Sequence, residues 1–98
     1  MSKKIPAYLQ VEADRVIVQL SRPSECNGIQ VDKLSLRAPT VRDIRTAQGT
    51  SDGDDEQREL NLFASLAEVG VKDLESLTLK DYTRLQAGYF RLVQDDGV

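Results

Sequence analysis

The sequence predicts a small α+β domain, an N-terminal β-hairpin followed by three to four short helices, and three observations carry that expectation. Between Arg15 and Arg37 the chain is rich in β-branched and alternating residues, interrupted by an Asn27-Gly28 pair. From Val41 onward apolar residues recur three and four apart, divided by breaks rich in acid or glycine. At Leu34–Asp43, LSLRAPTVRD, a strand pattern ends against Pro39 and a helix start follows at once.

The elements follow in order. Residues 1–13 hold Ile5, Tyr8, Leu9 and Val11 around Pro6, which predicts a flexible arm or a weak edge strand. Arg15–Leu20, RVIVQL, is the first firm strand because β-branched side chains suit a pleated surface. Ser21–Gly28 holds Pro23 and Asn27-Gly28 and predicts a turn. Asn-Gly takes left-handed geometry readily, so the strand over Ile29–Arg37 is expected to pair antiparallel with the first. A residue before proline is held extended, which ends that strand near Ala38.

Thr40 is then an N-cap with Asp43 at N3, the spacing of a capping box, for a short helix over Val41–Gln48. Gly49–Gln57 carries glycines, Asp52, Asp54, Asp55 and Glu56, and predicts a mobile acidic loop at 49–55. Asp54 or Asp55 caps the next helix, about Asp55–Glu68, with Leu60, Phe63, Ala64 and Ala67 at helical spacing. Leu62 and Leu66 widen its apolar arc, and Gly70 is expected to end it. A helical turn near Asp73–Leu77 precedes Thr78, a second cap with Asp81 at N3. The last helix, Leu79–Val93, carries Leu79, Tyr82, Leu85, Gln86, Tyr89, Phe90 and Val93, and Gln94–Val98 is expected to fray. Residues 14–94 therefore make one small domain.

Composition excludes several classes of function. The 98 residues contain no histidine, which removes the commonest general base and any Ser-His-Asp or Cys-His triad. Cys26 is the single cysteine, so neither a disulfide framework nor a thiolate metal site is available, and one free thiol suits a reducing compartment. The start has no apolar h-region and apolar runs are only two to four residues long, so neither a signal peptide nor a membrane span is expected. Residues 1–48 carry a net charge of +3 and residues 49–98 a net of −6. A chain divided in this way is suited to an oppositely charged protein surface or to a second copy of itself, or simply has two solvated halves.

The candidate sites reduce to protein contact. Arg37, Arg42 and Arg45 form the best basic cluster, but Asp43 lies among them and an acidic loop follows, the wrong field for nucleic-acid phosphates. Asp52, Asp54, Asp55 and Glu56 fail as a calcium loop, because position twelve counted from Asp52 is Phe63. No phosphate-binding glycine loop and no carboxylate pairing for acid-base chemistry is present, so no catalytic residue, metal ligand or cofactor is expected. Two helices with wide apolar arcs on so small a body leave surface for a partner. The expected protein-binding residues are Leu62, Leu66, Tyr82, Tyr89, Phe90, Arg42 and Arg45.

Two segments carry a family resemblance. One is L-x-L-R-x-P-T-x-x-D, at Leu34, Leu36, Arg37, Pro39, Thr40 and Asp43; the other is L-x-x-L-x-x-x-D-Y-x-x-L, at Leu74, Leu77, Asp81, Tyr82 and Leu85. Over roughly residues 14–93 the chain resembles the small tail assembly chaperones of contractile-tailed, Mu-like phages and prophages. The resemblance implies a non-enzymatic protein of the host cytoplasm, absent from the mature virion. It implies binding to the tape measure protein and help in gathering tail tube subunits, with homo-oligomers as a further expectation. It supplies no catalytic or ligand-binding residue. The alternative expectation is a phage-encoded regulatory or nucleic-acid-associated protein using Arg37, Arg42 and Arg45.

Overall fold

Alternation of buried and open residues builds the sheet. In the computed structural model, which describes residues 5–94, strand β1 spans Leu9–Val11, β2 spans Arg15–Cys26 and β3 spans Ile29–Arg37, in the antiparallel order β1-β2-β3. The sheet is therefore a three-stranded meander, one strand more than the expected hairpin. Leu9–Val11 pairs with Val16–Val18, so part of the N-terminal segment is an edge strand, while residues 1–4 lie outside the described residues. Val16, Val18, Leu20, Leu34 and Leu36 all point to one face and are buried there. Every helix that contacts the sheet covers that same apolar face.

The expected turn over Ser21–Gly28 is corrected: β2 continues to Cys26, and only Asn27-Gly28 reverses the chain. Both residues have positive φ, 56° and 78°, which is what a two-residue hairpin loop requires. Pro23 is tolerated within β2 because the pairing register shifts between Gln19 and Ser24. Four residues of β2 there face the single residue Asp32 of β3, a wide bulge whose backbone makes no ladder.

Four helices follow: α1 over Val41–Gly49, α2 over Asp55–Ala67, α3 over Val71–Glu75 and α4 over Leu79–Val93. Thr40 and Asp43 form the full capping box: Asp43 N–H donates to Thr40 Oγ1 at 3.2 Å and Thr40 N–H to Asp43 Oδ2 at 2.8 Å. Segment 50–54 links α1 to α2 through turns, with Ser51 buried and Asn61 Nδ2 donating to Thr50 Oγ1 at 3.0 Å. Asp54 caps α2. Glu68, not Gly70, ends α2, in a left-handed conformation with φ 58°. The turn expected near Asp73–Leu77 begins earlier, at Val71. The expected fraying from Gln94 onward lies, past Gln94 itself, outside the described residues.

Two side chains tie the distant parts together. Asp81 completes only half of its expected box. Its N–H donates to Thr78 Oγ1, but its carboxylate, 1% exposed, turns inward and accepts from Ser21 N–H at 2.7 Å. The bulge in β2 frees that N–H, so the two irregularities explain each other. Asp73 acts similarly at the hairpin tip, where its Oδ2 accepts from Gly70 N–H at 2.9 Å and from Asn27 N–H at 3.2 Å. Asn27 Nδ2 also donates to the Glu68 carbonyl at 3.0 Å.

The helices form one layer. Helix α4 lies over β1 and β2, α2 lies over β3, and α1 and α3 flank α2. The core comprises the inner sheet residues together with Leu62, Phe63, Ala64, Leu66, Leu74 and Leu85.

Candidate functional site

The seam between α2 and α4 is filled by aromatic side chains. Both helices pack mainly on the sheet or on their own neighbours. Phe63, buried in α2, meets Tyr82 at 5.8 Å and Tyr89 at 5.1 Å between ring centroids, both tilted. Tilted pairs at these distances are favourable beyond their area. Glu59 closes the seam: its Oε1 accepts from Tyr82 Oη at 2.7 Å and from Gln86 Nε2 at 2.9 Å. Burial, then the Glu59 bond and the charges of Glu59 and Glu56, push the Tyr82 phenol well above its ordinary range. The seam is apolar below and electronegative above.

Towards α3 the seam opens into a groove of roughly 410 Å³. Leu60, Leu77, Leu79 and Tyr82 supply apolar wall, and Glu56, Glu59 and Glu75 supply the acidic side chains. Among the described residues, no lysine or arginine lines it. Towards α1 a smaller cleft of about 190 Å³ lies between Ile44, Arg58, Glu59 and Tyr89. Helix α4 adds an outer stripe: Leu79 is 80% exposed, Phe90 59% and Val93 48%. With Thr83 and Gln86 these residues share one side of the helix by 3.6-residue periodicity.

The expected contact residues are divided by the fold. Tyr82 and Tyr89 are half-buried on Phe63 in the seam, and Phe90 stands exposed on the outer stripe of the same helix. Leu62 and Leu66 lie apart from it, 6% and 1% exposed within the core. The wide arc of α2 is used internally, because α1, α3 and β3 press on it from different directions. Arg42 and Arg45 are exposed on α1 beside Val41, in a separate shallow depression with Thr46. Arg37 does not join them. Its guanidinium grips Asp43 with bonds of 2.8 and 3.1 Å and holds that carboxyl far below the usual range, helped by Thr40 N–H. The basic cluster of three is thus two arginines and one structural clamp.

Sequence reasoning missed Leu79, Leu60, Leu77 and Glu75 as surface. Of the seven residues expected as one pattern on α4 only Leu85 is fully buried, where it shares the inward face with Asp81 and Gly88, while Leu79, Phe90 and Val93 lie outward. An aspartate and a glycine on the inward face gave no apolar signal, so the pattern could not be divided correctly from sequence.

The two segments that carry the resemblance turn out to be largely structural. Arg37, Thr40 and Asp43 make one connected cap, and Leu74, Asp81 and Leu85 are core. Among the described residues no group of three or more Cys, Asp or Glu is placed to hold a metal ion, and no helix is long and apolar enough to cross a membrane.

A family model described as "Phage tail assembly chaperone proteins, E, or 41 or 14" matches residues 18–94. This agrees with the resemblance read from the Leu34–Asp43 and Leu74–Leu85 segments. No curated protein and no solved structure matches the chain.

Proposed function

The chain belongs to the phage tail assembly chaperone family, and on that premise we propose that it binds the tape measure protein and assists tail tube assembly, without catalysis. It acts in the host cytoplasm while tails are being built and leaves before the virion is complete. The tube subunit is a second partner in this reading. The observation that supports this reading most directly is the outer stripe of α4, Leu79, Phe90 and Val93, whose first member also lines the groove at the open end of the aromatic seam. Single exposed apolar residues are ordinary on any protein, but three along one helix face, the first of them lining an apolar groove, suit contact with another apolar helix. A tape measure protein rich in long apolar helices would aggregate if that surface stayed bare, and a small body offering a matching face would shield it.

Co-expression with a tape measure protein from the same phage or prophage tests the reading. The tape measure protein should move into the soluble fraction and be captured with the tagged chain. A Phe90→Ser, Val93→Ser variant should keep its native circular dichroism and lose most of that capture. A tape measure protein that stays equally insoluble with and without the chain would refute the function.

A further inference from the structure

We propose that the groove between α2, α3 and the start of α4 is a docking site for a single partner helix, amphipathic, with its apolar anchors flanked by lysine or arginine. The inference rests on the chaperone reading and deepens it by naming the site and the chemistry of the segment taken.

Charge complementarity selects that occupant. The groove has an apolar interior at Leu60, Leu77 and Tyr82 and carries Glu56, Glu59 and Glu75. Of the cations on α4, Lys80 follows Leu79 but is exposed and does not line the groove, and Arg84 is committed elsewhere: its Nη1 donates to the Gln19 carbonyl at 2.9 Å and its guanidinium lies 4.5 Å from the Tyr8 ring centroid. Glu59 spends one oxygen on Tyr82 and Gln86, while Glu56 and Glu75 are exposed. An acidic helix entering here would meet like charge on both sides, whereas a basic-flanked one would be drawn in. Leu79 supports the same conclusion. It is the first residue of α4, a position where a polar side chain would serve the helix equally well, yet it stands 80% exposed at the mouth of the groove. A helix laid in such a groove anchors through residues at i, i+3, i+4 and i+7.

The competing occupant is helix α1 of a second copy, whose outer face carries Arg42 and Arg45. That face offers one apolar anchor, Val41, because Ile44 and Ala47 are turned into the fold. One anchor is a poor match to a groove lined by several apolar side chains, so a separate partner helix is favoured.

Fluorescence anisotropy with the full chain and three designed peptides of equal length tests the site. One is an amphipathic helix with a leucine stripe and lysine flanks, the second has glutamate for each lysine, and the third is a scramble of the first that destroys the stripe. The first should bind with a Kd of about 1–30 μM, and each of the others at least ~10-fold more weakly. Glu75→Lys with Leu79→Gln, both at exposed positions, should leave the urea midpoint unchanged and weaken the first peptide about 10-fold. Equal binding of the scramble, equal binding of the glutamate peptide, or no effect of the double variant would each overturn the site. So would a concentration-dependent rise in sedimenting mass that competes with the peptide and vanishes in Arg42→Glu with Arg45→Glu. Tape measure capture by the same double variant separates the two proposals. Undiminished capture sinks the groove and leaves the chaperone reading standing; peptide binding by a wild-type chain that captures no tape measure protein does the reverse.

Discussion

Gly88 is the position where a single methyl group tests the whole packing arrangement. Helix α4 lies so close to the sheet that a Cβ placed on Gly88 would stand 3.0 Å from Val18 Cγ2, 3.2 Å from Val16 Cγ1 and 3.4 Å from Leu9 Cδ2. Carbon atoms prefer about 3.5–4.0 Å, so the helix must lift by roughly half an ångström. The two valines are fully buried and β-branched, with little rotamer freedom to give way. Overpacking of this kind costs about 1–3 kcal/mol, against a gain of about 1 kcal/mol from replacing a mid-helix glycine by alanine. Gly88→Ala should therefore lose about 1 kcal/mol net, read as a drop in Tm of roughly 4–8 °C for a chain of this size. Gly88→Val adds two more methyls and should lose about 3 kcal/mol or more. Gly49→Ala is the control, at the end of α1 with nothing within 4 Å of the new Cβ, and should be neutral or slightly stabilising. Urea unfolding followed by far-UV circular dichroism would measure all three. If Gly88→Ala proves more stable than wild type, as the control does, α4 does not sit on the sheet at this distance, and the aromatic seam that depends on its height loses its basis.

Three further outcomes are expected. Asp54→Ala should cost about 0.5–2 kcal/mol, since Asp54 Oδ1 accepts from Glu56 N–H at 3.0 Å and Gln57 N–H at 3.1 Å at the start of α2; chemical denaturation would measure it. Asp43 is held below the usual carboxylate range by Arg37 and then by Thr40, so its stabilisation is present above an unfolded pKa of about 3.9 and fades as pH falls through its folded value. Asp43→Asn should accordingly flatten the acid limb of a stability-pH profile while lowering the plateau at neutral pH. Tyr82 runs the other way: burial and the Glu59 bond raise its pKa, so its stabilisation is complete below about pH 10 and is lost as pH rises further. Tyr82→Phe should make alkaline unfolding less steep, and an unchanged alkaline limb would show that the phenol is not buried against Glu59.

The helices, the first half of β2 and the whole of β3, the Thr40–Asp43 box, the Asn27-Gly28 reversal and the full span of α4 were legible along the chain, whereas the second half of β2 was expected as a turn. Each depends on residues within a turn or two of one another, where apolar period and capping chemistry act directly. The family, too, was readable from two short motifs, although their residues turned out to build caps and core. What the sequence could not reveal were the pairings between remote positions. Asp81 looks like a simple N3 capping residue until the bulge sixty residues earlier presents the Ser21 N–H to it. Asp73 and Asn27 show no relation until the hairpin tip meets the α2–α3 connection. Leu62 and Leu66 look like spare surface on one helix, and only the arrival of α1, α3 and β3 around α2 decides that they are core. The face of α4 left outside was settled in the same way, by Gly88 and Asp81 fitting against a sheet and a bulge. Local sequence sets which side chains can share a helix face. Which face is buried depends on steric fit and on where unpaired backbone donors fall, and those are properties of the assembled fold.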